Sequence, residues 1–205
     1  MTKRINAKKK LSRKLGGSLW GQAKDPYIKR NYKPGQHGAS LRTRLSDYGI
    51  QLRAKQRMKF YYGNISEKQF FNTFTAASKQ KGDVSENFIS LLESRLDAVV
   101  YRANFVPTVF AARQFVNHKH ITVNGNIVNI PSYQLKIGVV VAIRDKSKKI
   151  NMVIESLQDM ERDVPSYLAL DKEAQSIKVV AKPTFAEVPY AIEMEPHLIT
   201  EFYSR

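Results

Sequence analysis

Basic and amide side chains concentrate in residues 95–133, and their types suit binding to phosphate and sugar better than catalysis. Arg113 and Asn117 are four residues apart, so they are neighbours on one helix face. The run 118–120, His-Lys-His, follows directly. Cations pair with phosphates, whereas amides and imidazoles reach sugar and base edges. The pattern predicts an RNA contact, with a solvated helix face as the alternative for an isolated charged stripe.

Two short helices and a hairpin must position these side chains. Apolar residues recur at three- and four-residue steps from Leu96 to Ala103, which predicts the first helix. Pro107 suits the first position of the second helix, since its fixed φ is helical and no N–H is needed there. Asn124-Gly125 lies between two β-branched runs and predicts a type I′ hairpin, because both residues tolerate positive φ.

Helices are also predicted on the N-terminal side of this stretch. One spans 46–62 with Ser46 as its N-cap, and the next spans 67–80 behind a capping box. Phe70, Phe71, Phe74 and Ala77 form a packing stripe on the second of these helices. Ser85 is predicted to cap the helix that follows.

Strands are predicted on the C-terminal side. The apolar runs 139–143 and 152–154 read as two strands, joined by a basic hairpin loop at 144–149. Residues 177–180 predict a final strand, and the acidic stretch 155–175 is expected to be helical in part.

Charge is distributed unevenly along the 205 residues, whose net charge is +16. Residues 1–60 carry 17 Lys and Arg against 2 Asp and Glu, whereas 151–205 carry 5 against 10. Such a concentration of cations indicates a polyanionic partner, because bound cations release counterions from phosphates. An anionic membrane surface is a poorer alternative, since the basic region has no strongly apolar face.

The residue types do not indicate a metal site or a membrane-spanning segment. The chain has no Cys and four His, so no thiolate zinc site and no disulfide are expected. No apolar run approaches the roughly 20 residues of a membrane span, and no secretory signal is visible. We therefore expect no metal, no cofactor and no small-molecule substrate.

The motif RLDxVVYR followed by ARQxVxHxHIxVNGxxVNIPSY, within 95–144, resembles the RNA-binding module named after small-subunit ribosomal protein four, the S-four domain. Three flanking pieces resemble the ribosomal protein family itself: PGQHG at 34–38, SDYGIQLRAKQRMKFYYG at 46–63 and LITEFYSR at 198–205. Lys119 departs from the family, which usually has glycine there. A left-handed backbone at this lysine would cost about 1 kcal/mol.

The resemblance implies an α+β protein in three parts. A basic N-terminal extension (1–45) precedes a helical domain (46–93), which the tail 183–205 completes. An αα-hairpin and antiparallel β-sheet module for RNA binding (94–182) is inserted between them.

The resemblance also implies a function. The protein would be a structural constituent of the small ribosomal subunit that binds the 5′ domain of its RNA first, nucleates assembly of the subunit body and contributes to translational accuracy. Small-subunit protein five would be a neighbour, and the protein would be cytoplasmic and ribosome-bound. Repression of translation from its own message is a further role implied for some bacteria.

The residues expected to contact RNA combine the cationic clusters, the glycine turn and the positions of the module. Arg53, Lys55, Arg57, Arg95 and Arg113 are expected to bind phosphates. The full expected set is Lys8, Lys9, Arg13, Lys14, Lys29, Arg30, Gln36, His37, Gly38, Arg42, Arg53, Lys55, Arg57, Lys59, Arg95, Arg102, Arg113, Gln114, Asn117, His118, Lys119, His120, Asn124, Ser132 and Tyr133.

Two other functions use the same module. One is a free RNA-binding regulator, and the other is an RNA-modifying enzyme, because Arg95-Leu96-Asp97 resembles the sequence around the catalytic Asp of certain pseudouridine synthases. Here this tripeptide lies within the first helix of the module, and about 55 residues follow position 150, too few for a typical catalytic domain. We expect no enzymatic activity.

Overall fold

The computed structural model describes residues 8–40 and 44–204. The helices of the described residues are α1 (Lys8–Leu15), α2 (Pro26–Lys29), α3 (Asp47–Tyr61), α4 (Glu67–Ser78), α5 (Val84–Glu93), α6 (Leu96–Arg102), α7 (Val109–Asn117), α8 (Asn151–Gln158) and α9 (Pro196–Tyr203). The strands are β1 (Ile121–Val123), β2 (Asn126–Ile127), β3 (Val140–Ile143), β4 (Leu168–Asp171) and β5 (Ser176–Val179). They form one antiparallel sheet in the order β2-β1-β3-β5-β4. The predicted α+β class is confirmed.

The described chain divides into two compact units. The first contains the described residues up to Asn72 and those from Tyr190 onward, and the second spans Thr73–Pro189. The three-part division made from the sequence stays a prediction.

Helices build the first unit. Leu11, Leu15, Leu19 and Phe60 form a buried cluster beside α1 and α3, with Trp20 packed against it. The predicted cap of α3 is confirmed, because the Gly49 N–H donates to the Ser46 hydroxyl at 3.3 Å.

The tail joins this unit through α9, which packs on α3. The amide of Gln51 donates to the Glu201 carboxylate at 2.9 Å, across 150 residues of sequence. The rings of Tyr48 and Phe202 lie 5.6 Å apart between the same two helices.

Glu67, at the start of α4, joins three elements of the first unit. Its carboxylate accepts hydrogen bonds from Lys55 at 2.6 Å, Lys59 at 3.1 Å and the Tyr203 hydroxyl at 2.9 Å. These donors, opposed by partial burial, hold the pKa of Glu67 at about 2. The Lys55 ammonium also lies 4.2 Å from the ring centroid of Phe202. α3, α4 and α9 are therefore joined by charge as well as by packing.

The caps of the second unit differ in part from the sequence prediction. Asp83, not Ser85, caps α5, because its carboxylate accepts the N–H groups of Ser85 and Glu86. Asp and Ser are both favourable N-cap residues, and these two are only two positions apart, so residue type alone did not identify the cap. α7 begins at Val109 behind a Thr108 cap, so Pro107 precedes the helix instead of opening it.

The aromatic stripe on α4 is only partly buried. Phe70, Phe74 and Ala77 are buried, whereas Phe71 is 47% exposed and contacts the ring of Tyr203. Phe70 belongs to the first unit, and Phe74 packs on Phe88 in the second.

The predicted hairpin is confirmed. Asn124 and Gly125 both have positive φ, 47° and 83°, and Thr122 pairs with Ile127 across the turn. The predicted strand at 152–154 is wrong, because these residues lie in α8. The segment before it is a 3₁₀ turn (Asp145–Ser147) and no hairpin, and β5 pairs with β3 on one side and with β4 on the other.

An ion pair lies in the core of the second unit. Glu93 is fully buried and accepts Nε and Nη2 of Arg102 at 3.0 and 2.8 Å. The Tyr167 hydroxyl donates to the same carboxylate at 2.8 Å. The pair connects α5 and α6 to the segment that leads into β4.

The Glu67 cluster predicts how the first unit responds to acid. A carboxyl whose pKa is depressed by folding stabilises the protein above its ordinary pKa, near 4.5, and loses that contribution as pH falls toward 2. We expect Glu67→Gln to lower the free energy of unfolding by about 1 kcal/mol at pH 7, since Glu67 is half exposed and screened. Trp20, the single Trp of the chain, reports this unit by fluorescence in urea.

The variant should also lose less stability than the parent between pH 5 and 2.5. Glu173→Gln, at an exposed turn between β4 and β5, is the matched control and should leave both quantities unchanged. Identical acid sensitivity of Glu67→Gln and the parent would contradict the assignment.

Candidate nucleic-acid interface

Four of the expected cations are exposed on or directly after the two N-terminal helices of the first unit. Lys9 and Lys14 are exposed on α1, and Lys29 and Arg30 are exposed at the end of α2. Residues 8–24 contain no Asp or Glu, so no acid in this segment competes for the cations. These four side chains can meet phosphates in solvent.

Arg13 is half-buried and has an internal role beside them. Its Nε and Nη2 donate to the carbonyls of Tyr32 and Lys33 at 3.1 and 3.2 Å, and its guanidinium lies 4.7 Å from the Tyr32 ring centroid. Arg13 therefore orders the segment that leads to the Pro34–Gly38 turn.

The turn itself presents Gln36 and His37 to solvent. Gly38 is buried, and a Cβ there would overlap the carbonyl oxygen of Lys33. Its N–H donates to the Gly35 carbonyl at 3.2 Å. Glycine is thus required at 38 to close the turn, and its N–H bonds within the turn, although Gly38 was expected to contact RNA.

The four cations of α3 are engaged inside the first unit. Arg53 donates through Nε and Nη2 to the carbonyl of Leu15 at 3.0 and 2.8 Å, which satisfies the C-terminal end of α1. Arg57 donates to the carbonyl of Glu193 at 2.9 Å, and burial together with Arg53 lowers its pKa. Lys55 and Lys59 bind Glu67, and Lys55 is buried.

Two arginines expected at the RNA contact are instead core residues of the second unit. Arg95 and Arg102 are each 2% exposed. Arg95 binds Asp97 through two hydrogen bonds of 2.9 and 2.6 Å, and Arg102 binds Glu93 in the same way. Burial raises the pKa of Asp97, and the Arg95 guanidinium opposes that rise. Their geometry gives Arg95 and Arg102 structural roles that the sequence did not indicate.

The exposed positions of the module lie at the end of α7. Gln114, Asn117, His118 and Lys119 are exposed, and Arg113 is half-buried. Lys119 has φ 64°, the left-handed conformation anticipated from the usual glycine. Residues 109–124 contain no Asp or Glu, so this face is cationic and without acids of its own segment.

His120 is held at the edge of this face. Its ring stacks on Phe115 with 4.7 Å between centroids, and Nδ1 lies 2.8 Å from the Ser147 hydroxyl. Burial, with His118 and Arg144 adding to it, lowers the pKa of His120. At neutral pH the ring is therefore an uncharged hydrogen-bonding group.

A second basic segment adjoins His120 and lies outside the set of residues predicted from the sequence to contact RNA. The Arg144 N–H donates to the carbonyl of His120 at 2.9 Å. Lys146 and Lys149, in and after the following turn, are exposed. The signal for this segment was the basic run at 144–149, which was interpreted as a loop only.

Three of the remaining candidates are in the described part of the second unit, and two cannot be described. Asn124 is exposed, but its side-chain oxygen accepts the Val140 N–H at 2.9 Å, so it also closes the hairpin. Ser132 is half-buried and Tyr133 is 42% exposed. The Lys8 side chain and Arg42 lie outside the described residues.

Neither a metal site nor a membrane span appears within residues 8–40 and 44–204. These ranges contain no group of three His, Asp or Glu that could hold a metal ion. They also contain no helix long and apolar enough to cross a bilayer.

The burial of Arg102 predicts a separation of stability from surface charge. We expect Arg102→Gln to destabilise the second unit by about 3–5 kcal/mol, because Glu93 keeps a buried charge without its partner. Lys119→Gln should change stability by less than about 0.5 kcal/mol, as an exposed substitution does. Urea unfolding followed by far-ultraviolet circular dichroism measures both, and similar losses for the two variants would contradict these roles.

Two family models together match residues 3–141, which is 139 residues of the chain. The model described as "Ribosomal protein S4/S9 N-terminal domain" matches residues 3–93, and the S4 domain matches residues 94–141. The chain is 57% identical over 205 residues to small ribosomal subunit protein uS4 of Nitrobacter winogradskyi, and 56% identical over 204 residues to that of Phenylobacterium zucineum. A third relative, from Brucella abortus, is 56% identical over 205 residues, and in all three cases the match covers 100% of both chains. Because the similarity spans both units and every element that presents or supports the cationic faces, the chain belongs to the small ribosomal subunit protein uS4 family.

Proposed function

We propose that this chain is a structural constituent of the small ribosomal subunit and that it binds ribosomal RNA directly. The observation that carries the proposal is the cationic face of the second unit, formed by the end of α7 and the segment 144–149. Lys119, Lys146 and Lys149 are exposed there, and the Arg144 backbone bonds to His120. Exposed cations beside amide and imidazole groups suit the phosphate, sugar and base contacts of a folded RNA.

The first unit supports the same function with a second set of exposed cations. Lys9 and Lys14 on α1 and Lys29 and Arg30 after α2 all reach solvent. Long-range attraction to RNA grows with the number of phosphates neutralised. Each unit therefore contributes phosphate contacts of its own.

The finer role that we propose follows the family resemblance. The protein binds the 5′ portion of the small-subunit RNA early, nucleates assembly of the subunit body, and contributes to the accuracy of translation. It lies beside small-subunit protein five and is cytoplasmic. Internally bonded cations support early binding, since the groups that hold each unit together do not depend on RNA.

Catalysis is not part of the proposal. Asp97, the residue that the resemblance to pseudouridine synthases singles out, is 2% exposed and bound to Arg95 through both oxygens. A carboxylate buried in this way cannot reach a uridine from the surface. The full-length similarity to ribosomal proteins likewise favours a structural constituent over a free regulator.

A filter-binding salt titration on the 5′ portion of small-subunit RNA tests the proposal. We expect a steep fall of the binding constant with salt and a strong preference over unrelated RNA. Replacing Lys119 and Lys146 by Gln should weaken binding and reduce the slope of log K against log salt by about 1 for each lysine.

The matched control replaces Lys172 and Lys178, which are exposed in and after the β4–β5 turn, within the acidic segment 151–205. These two changes should leave the slope unchanged. Equal affinity for unrelated RNA, or release of the protein from small subunits during sedimentation in moderate salt, would contradict the proposed function.

A further inference from the structure

A groove of about 470 Å³ lies beside α1 and α3 in the first unit, and none of the roles above uses it. Its floor is apolar, with Leu15, Leu52 and Phe60 among the lining residues, and Leu15 and Phe60 are buried. The volume falls within the roughly 300–1,000 Å³ of small-molecule sites in proteins. The groove is therefore large enough for an organic group of the size of a nucleotide.

Three cations surround this apolar floor. Lys14, Lys33 and Arg53 all line the groove, and Lys14 is exposed. The Arg53 guanidinium is fixed in place by its hydrogen bonds of 3.0 and 2.8 Å to the carbonyl of Leu15. A ligand that fits the groove must therefore carry a negative charge next to an apolar group.

Gln56 adds a side chain that can form hydrogen bonds with such a ligand. It lines the groove from the same side of α3 as Leu52 and Phe60, because residues four apart share a helix face. A glutamine amide offers two N–H donors and a carbonyl acceptor. Paired donors and acceptors of this kind match the edge of a nucleobase.

Charge complementarity selects one class of guest. An aliphatic side chain from a protein would cover the leucines but would desolvate the cations without pairing them. A free inorganic anion would pair with the cations but would leave the apolar floor in water. A nucleotide has a flat base with apolar faces and a phosphate beside it, and proteins commonly recognise RNA through bases that have left the stack.

We propose that this groove takes one unstacked nucleotide of the bound RNA. The base lies against Leu52 and Phe60 with its edge toward Gln56, and the phosphate lies toward Lys14 and Arg53. The proposal rests on the proposed RNA-binding function, because the nucleotide belongs to the same RNA.

Leu52→Asn tests the groove separately from the cationic faces. Docking of a single base commonly contributes about tenfold or more to the affinity for RNA. We expect this variant to bind the 5′ RNA about tenfold more weakly while the slope of log K against log salt stays that of the parent, since every cation remains. Ile50→Asn is the matched control: it lies on the same helix, is 40% exposed, and should leave the affinity unchanged.

A second variant and a cross-link guard against a folding defect. Gln56→Ala should also weaken binding at constant salt slope, and the thermal midpoints of both variants should match that of the parent. A photoreactive benzoylphenylalanine in place of Leu52, irradiated in the protein–RNA complex, should form a bond to a ribose C–H of one nucleotide, and mass spectrometry identifies that nucleotide.

The outcomes are distinct. Unchanged affinity of the groove variants, a drop of the thermal midpoint that accounts for the loss, or a cross-link confined to the protein would overturn the groove proposal while the RNA-binding function stands. Failure of the parent protein to prefer the 5′ RNA would instead overturn the function and the groove proposal together.

Discussion

Glu93 is the carboxylate on which the second unit depends. It is fully buried, and it holds a guanidinium nine residues away and a phenol 74 residues away with bonds of 2.8–3.0 Å. A buried charge is tolerated only when it is paired and hydrogen-bonded, so the three groups must come together for the unit to form. This constraint connects α5 and α6 to the segment that leads into β4, and α7, whose end presents exposed cations, packs on α6.

A carboxylate also joins elements of the first unit, although this one, Glu67, is half exposed. Two lysines that would extend into solvent on an isolated helix are bound to one carboxylate, and Tyr203 of the tail donates to it as well. The candidate cations within residues 8–40 and 44–204 therefore fall into two sets. One set holds each unit together, and the other, on α1, after α2 and around the end of α7, reaches solvent and can meet a polyanion.

Local features were predictable from the sequence, and pairings across long separations were not. The hairpin at Asn124-Gly125 depends on two residues that accept positive φ, so it could be predicted from these two residue types alone. The apolar run at 152–154 is too short to distinguish a strand from a buried helix face, and tertiary packing made it part of α8. Of the two strands that pair with β5, β4 was not predicted, because it reads only LALD, with no clear alternation.

The candidate site shows the same division. Family resemblance located the cationic module and α3, but the inward bonds of Arg53, Lys55 and Arg102 depend on partners that only the folded chain brings near. For Lys55 that partner is 12 residues away, and for Arg53 it is 38. Residue type predicted a positive charge at each position. Whether the side chain bonds inside the unit or reaches solvent is decided by a carboxylate or a helix end that the fold places beside it. The basic run at 144–149 was underestimated for the same reason, since its place beside His120 is a tertiary contact.

The division of cations into internal and RNA-facing sets is tested most directly by lysine reactivity. Acetylation of the free protein and of its complex with the 5′ RNA, quantified at each lysine by mass spectrometry, measures both sets at once. The account predicts that Lys55 is unreactive in both states, and that Lys9, Lys119 and Lys146 are reactive in the free protein and protected in the complex. Reactive Lys55 in the free protein, or unchanged reactivity of Lys119 and Lys146 on binding RNA, would contradict it.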